Sequence, residues 1–419
     1  MTTRRSALIV WLGSLGAAGF AFLAQMLIIR SFSPAQFGVF QNAFSIAMLI
    51  FNFAAQGIGE VLMRRQGDLQ PATGIKAVCV MAVPAILAGI GWILLGRDDD
   101  LLTSLAVFLP FLVAQFMLLM GMVAFQVRGA SAWIAIWPVV QQAIRLLAIC
   151  GVILVGGSLL AVPLAWTVCL LLPGLYGVVV LRRVMSSAPR HADVDPSVSS
   201  IAFQGLPFGL SHVVEFAQLQ APVLLLMVLV GPTEAGLAGG CMVIIQGLLL
   251  LPIAVYCRFL RARFHVWDVN DHRRVSVVVT RGVISMFLIA TAVSAVLWPL
   301  SGWALELLFG AEYRTAGGFF RILLLTLPVW FAAIVVNTPL VSRKLAVVRL
   351  VFNITSLLIV AVVSLLAAGS FGEDAVAWGM FAAQAFLLTA GALVIAFKYG
   401  FHLRFPATPV ADSKETSDG

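Results

Sequence analysis

The sequence predicts an all-α polytopic membrane protein, with about twelve transmembrane helices arranged as two six-helix bundles around a central cavity. Three observations lead there. Of the 419 residues, 61% are hydrophobic and 11% charged, and the mean hydropathy is +1.05, whereas a soluble domain carries roughly 45–50% apolar and about 25% charged residues. The apolar residues form runs long enough to cross a bilayer, without the period-2 alternation of barrel strands. The cations fall almost wholly on one side of those runs.

A hydrocarbon core of about 30 Å needs roughly 20 residues at 1.5 Å each. Twelve such runs lie at 7–29, 39–62, 74–95, 101–126, 132–155, 159–181, 202–230, 235–257, 276–298, 319–341, 346–368 and 375–397. The first follows Arg4 and Arg5 as a signal peptide would, but it is about 23 residues long and lacks a small-residue cleavage site, so it reads as an uncleaved span. One set of connections, with the N-terminus and the tail, holds 21 of the 26 cations, six of them within 258–281. The opposite set holds four, Arg30, Arg97, Arg314 and Arg321. This bias, like the even number of spans, places both termini in the cytoplasm. The net charge of +8 therefore reports orientation and gives no reason to expect a nucleic-acid partner. The cysteines, Cys79, Cys150, Cys169, Cys241 and Cys257, lie within or at the ends of spans and read as apolar filler.

The chain echoes itself once. RSFSPAQFGVF at 30–40 follows the first span and LVGPTEAGLA at 229–238 the seventh, so Pro34 and Gly38 match Pro232 and Gly236 at an offset of 198. Each pair opens a short turn into the next helix. The repeat divides the chain into a six-helix bundle over 1–185, a cytoplasmic linker over 186–200, a second bundle over 201–400 and a disordered cytoplasmic tail over 401–419. Repeated six-span halves with a site between them are a recurrent transporter architecture.

Ionisable groups within hydrocarbon are costly and point to an aqueous path. Glu60, Lys76, Arg281, Arg321 and Arg349 lie near span ends, where they can snorkel. Arg145 and Glu215 read as mid-membrane, either as path residues or as a pair bridging the halves. At 100° per residue Gln204, Ser211, Glu215 and Gln218 share a stripe of about 60°, with His212 beside it, and Asn42, Ser45, Asn52, Gln56 and Glu60 share one of about 80°. Gln141 and Gln142 precede Arg145 by about one turn, and Ser14 and Gln25 share a face of the first span. Gln246, Asn337, Asn353 and Gln384 are isolated amides and read as interhelical glue.

No HExxH, GxSxG or phosphate-loop motif occurs, and the five histidines lack metal-ligand spacing. The chain reads as a non-enzyme with no cofactor and no metal, so any pumping draws on an ion gradient or the substrate's own. The longest external segment, about 299–318, has no catalytic cluster, and Trp298, Trp303 and Tyr313 suit a short interfacial helix. A membrane scaffold or glycan polymerase is the competing class.

The turn at 30–40, the close of span two in GIGEVLMRR at 57–65, the segment GLPFGLSHVVEFAQLQAPVLLLMVLVGPTEAGLAGG at 205–240 and FGAEYRTAGGFFRIL at 309–323 together resemble the bacterial polysaccharide and O-antigen flippases. These form the polysaccharide-transport branch of the multidrug/oligosaccharidyl-lipid/polysaccharide exporter superfamily. The resemblance covers about residues 5–400. It implies a multi-pass protein of the bacterial inner membrane that turns a polyprenyl-diphosphate-linked oligosaccharide from the cytoplasmic to the periplasmic leaflet, for lipopolysaccharide or exopolysaccharide synthesis, beside polymerase machinery. Depth and helical facing, not the family's motifs, then select the candidates for its translocation cavity, Arg145, Glu215, His212, Gln218, Ser211, Asn52, Gln56, Gln25 and Gln141, with Glu215 and His212 the candidates for a coupling proton or sodium ion. Arg145 could then hold a diphosphate or an acidic sugar, and so few cavity cations suit largely neutral sugars. A drug/cation antiporter of the same superfamily would favour deep carboxylates over a deep arginine.

Overall fold

The computed structural model describes residues 3–65, 71–96, 99–186, 197–260, 264, 267, 271–341 and 345–400. The expected linker over 187–196 and the tail from 401 lie outside the described residues. Every regular element among the described residues is helical.

Eleven helical segments are long and apolar enough to span a membrane, and α4, 26 residues over Pro71–Gly96, is the twelfth. In chain order the first bundle contains α1 (Thr3–Ser31), α2 (Pro34–Phe51), α3 (Gly57–Arg65), α4, α5 (Asp99–Val127), α6 (Ser131–Leu154) and α7 (Ala161–Ser186). A π-helical turn over Asn52–Gln56 joins α2 to α3, which together make one span. The second bundle contains α8 (Val198–Leu229), α9 (Pro232–Pro252), α10 (His272–Leu297), the short α11 (Ser301–Phe309), α12 (Gly317–Asn337), α13 (Ala346–Phe371) and α14 (Asp374–Tyr399). A second π-helical stretch, Ile253–Leu260, follows α9. It falls where the first one does in its half, about 200 residues on.

The helices turn their apolar surface outward, as a lipid environment allows: Leu154, Leu366 and Phe397 are 86%, 81% and 88% exposed. Among them α1 packs on α6 and α5 on α7 in the first bundle, and α12, α13 and α14 pack together in the second. The bundles meet where α2 crosses α8 and α9, and where α3 and α4 lie against α8.

The repeated turns explain the closest part of that meeting. Ser33 caps α2 by accepting the Gln36 N–H, Pro34 takes the first helical position, and Pro232 does the same for α9 after Gly231, whose φ is 141°. A Cβ on Gly38 would strike the carbonyl oxygen of Pro232, and one on Gly236 would strike that of Pro34. The contact is reciprocal, as about a two-fold axis, so the echo at offset 198 meets itself. Towards the other face Gly57 packs on Gly205 and Gly209 in the same backbone-to-backbone manner. Between α1 and α11, Arg30 donates from Nε to the Leu308 carbonyl at 2.7 Å and from its guanidinium terminus to that of Leu307, capping a helix end.

Two expectations change. Tyr313 is not interfacial: it is 1% exposed, packed beside Phe309 and Gly240, while Trp298 and Trp303 remain at the surface. The polar stripe on span two is not continuous, because the π-helical turn adds a residue to the helical register and re-aims Gln56 and Glu60 relative to Asn42 and Ser45.

Gly38→Ala and Gly236→Ala should each destabilise the protein by about 1–3 kcal/mol through overpacking, read as a lower unfolding temperature in detergent. Gly369→Ala, which meets open space, should cost nothing.

Candidate functional site

Between the bundles lies a cavity of about 600 Å³, within the range of roughly 300–1,000 Å³ typical of small-molecule sites. Its walls come from α1, α2, α6 and α7 on one side and α8 and α9 on the other. Arg145 projects into it from α6, nine residues before that helix ends, or about 14 Å along its axis. Gln25, Gln41, Gln142, Gln220 and Gln246 supply the other polar side chains of the wall.

Arg145 is held by aromatic rings. Its guanidinium carbon stands 5.0 Å from the Phe111 ring centroid and 5.4 Å from that of Trp166, whose Nε1–H donates to the Arg145 carbonyl at 3.3 Å. Phe40, Phe44, Phe108, Phe111 and Trp166 form one cluster with centroids 5.3–6.5 Å apart, which fixes those rings against rotation. Cation–π contacts offset only about 0.5–2 kcal/mol of a desolvated charge. The two ion pairs between described residues leave Arg145 out, and its Nε is buried without a hydrogen-bond partner. No carboxylate lines the cavity among the described residues. A guanidinium so placed, outside the ion pairs of the described residues, has the chemistry to receive an anion.

The amides complete it. Gln41 donates from Nε2 to Gln220 Oε1 at 3.4 Å, and Ser45 Oγ donates to the same oxygen at 3.1 Å, tying α2 to α8 across the cavity wall. Gln25 Oε1 and Gln41 Oε1 are buried acceptors with no partner.

Of the residues expected at the site, Arg145 and Gln25 line this cavity, and Gln141 is the half-buried neighbour of the lining Gln142. Glu215, His212, Ser211, Gln218, Asn52 and Gln56 do not line it. Phe216 and Gln220 turn toward the cavity, which points Glu215 and Gln218 at α13 instead. There Glu215 accepts from Arg349 at 2.7 Å, with Ser211 Oγ 3.5 Å away, and Gln218 donates to the Asn353 carbonyl at 2.7 Å. Asn52 donates to the Met48 carbonyl at the π-helical turn, and His212 lies half-buried one turn before Glu215.

Three sequence expectations are corrected by these contacts. Arg145 and Glu215 do not pair; Glu215 pairs with Arg349. Arg349 is therefore a partner within the bundle and not a free snorkelling end. Glu215 is level with the first turn of α13, near the face that carries the chain termini, because the 32 residues of α8 outrun a hydrocarbon core of about 20. Sequence reasoning misses Gln41 and Gln220 and takes Gln246 for glue, since an amide in an apolar span has no pattern to separate lining from glue.

No family model matches the chain, and no curated protein matches its sequence. Solved structures match its fold over nearly the whole length. The chain is similar to the lipid II flippase MurJ in an inward closed conformation, at TM-score 0.69 and 11% identity over 93% of this chain and 87% of that one. It is similar to a multidrug resistance MATE family transporter in an inward-facing conformation, at TM-score 0.62 and 14% identity over 91% and 95%. It is also similar to a MOP superfamily transporter from Pyrococcus furiosus described as having a binding pocket of reversed polarity, at TM-score 0.60 and 12% identity over 94% and 95%. The chain thus has the fold these transporters share, two six-helix bundles around a central cavity.

Single charge reversals at Glu215 or Arg349 should each destabilise the protein by about 1 kcal/mol, the pair being partly exposed. The double reversal Glu215→Arg with Arg349→Glu should recover most of the unfolding temperature, whereas Glu215→Arg with Arg145→Glu should not.

Proposed function

We propose that this chain is a transporter that carries a polyprenyl-diphosphate-linked oligosaccharide from the cytoplasmic to the periplasmic leaflet of a bacterial inner membrane by alternating access. The observation that carries the proposal is Arg145 in the cavity between the bundles, on an aromatic floor and without a carboxylate. A guanidinium left unpaired in a low-dielectric site stabilises nothing by itself. It becomes favourable when a phosphate or carboxylate of the cargo engages its donor fork. The fold shared with a lipid flippase and with multidrug transporters supports the transporter class. The anion-receiving wall favours the lipid-linked cargo over a cationic drug, which would need a carboxylate there.

In this reading residues 1–185 and 201–400 are the two moving bundles. Their contact at Pro34–Gly38 and Pro232–Gly236, with the Arg30 cap on α11, closes the periplasmic side. Glu215, joined to Arg349 between α8 and α13, and His212 one turn before it are the candidates for coupling to a proton or a sodium ion. A sodium ion would compete with Arg349 for the same carboxylate. The product would pass to polymerase machinery outside.

The test is transport of a fluorescent lipid-linked oligosaccharide into reconstituted vesicles. Arg145→Ala, at normal expression and fold, should lower the rate at least about tenfold, equal to about 1.4 kcal/mol, and Arg145→Lys should retain part of it. Full transport by Arg145→Ala would remove the proposal.

A further inference from the structure

We infer that the cavity selects a cargo whose saccharide is uncharged and rich in hydroxyls, with its diphosphate at Arg145, and that it rejects saccharides bearing an acidic group of their own. This rests on the flippase reading above and adds the chemical class of the sugar. The polar lining is one guanidinium and five primary amides, Arg145 with Gln25, Gln41, Gln142, Gln220 and Gln246. Lysine, histidine and a second arginine are missing from it among the described residues.

A primary amide offers two donors and a carbonyl acceptor, and a hydroxyl offers one donor and two acceptor lone pairs, so each amide can satisfy a sugar hydroxyl in either sense. A carboxylate only accepts. Gln25 Oε1, Gln41 Oε1 and Arg145 Nε are themselves buried in the wall without partners, so the cargo would meet the other polar atoms of these side chains. Gln41 and Gln220 are held to each other and to Ser45, so their side chains cannot swing freely to present donors to an anion. The two phosphates of the cargo already exceed what one guanidinium offsets. A carboxylate on the sugar would enter a site without a further counter-charge and face carbonyl oxygens, the arrangement by which a pocket discriminates against a wrong ligand.

The wall is also aromatic near Arg145, where Phe44 and Trp166 present ring surface to the cavity. Rings accept the C–H faces of a neutral sugar and offer nothing to a carboxylate.

The full-length chain, reconstituted in vesicles, should be given two fluorescent polyprenyl-diphosphate disaccharides that differ only by one uronic acid in place of a neutral hexose. The neutral compound should be moved at least tenfold faster. Gln142→Arg, and Gln246→Lys as a second variant should the first not fold, should narrow that ratio at least fivefold by adding a cation to the wall. Equal rates for the two compounds, or faster movement of the uronic acid, would overturn the inference and leave the flippase reading standing. An unchanged ratio in both folded variants would also overturn it. If the folded wild-type chain moves neither compound, the flippase reading fails and this inference fails with it.

Discussion

The two bundles come closest where neither contributes a side chain, and the rest of the molecule depends on that contact. In hydrocarbon there is little hydrophobic force to press helices together, so association draws on dispersion and on backbone approach. Gly38 lets α2 settle against the carbonyl of Pro232, and Gly236 returns the contact on Pro34. With Gly57 against Gly205 and Gly209 near the other face, α2 and α3 form a spine on which α8 and α9 lie. The cavity is the space left beside this spine, lined by α1, α6 and α7 opposite α8 and α9.

Inside that space the electrostatics are sparse. The chain carries a net +8, yet among the described residues one cation lines the cavity. Its charge is cushioned by Phe111 and Trp166, which hold the guanidinium in place without cancelling it. A carboxylate at the same spot would have made a stable internal salt bridge and left nothing to bind. Glu215, the deep acid in the sequence, is turned away on the far face of α8 and satisfied by Arg349. The cavity cation and the Glu215–Arg349 pair thus lie on different sides of α8.

Most of the architecture was legible in the sequence because one constraint, the thickness of hydrocarbon, governs both span length and the placement of cations. The repeat was legible too, since Pro and Gly at matching offsets are demanded by the turn and by the close approach. Arg145 could be found from its depth, and Gln25 from the face it shares with Ser14. What could not be read was direction. Projection at 100° per residue assumes an unbroken α-helix, and the π-helical turn at Asn52–Gln56 leaves no residue signature that would warn of a shifted register. Arg349 looked like a snorkelling end because its partner sits on a helix that extends past the membrane-crossing length. Gln246 reads as glue because a lone amide has the same appearance whether it faces a neighbouring helix or a cavity, and Gln41 and Gln220 carry no signal that singles them out.

The central claim is that the cargo is moved across the membrane before anything else happens to it. The most direct measurement is the leaflet in which lipid-linked repeat units accumulate when this chain is deleted and the assembly enzymes remain. Accumulation in the cytoplasmic leaflet, relieved by restoring the chain, is the predicted result. Accumulation in the periplasmic leaflet would contradict the account and point to a later step such as polymerisation.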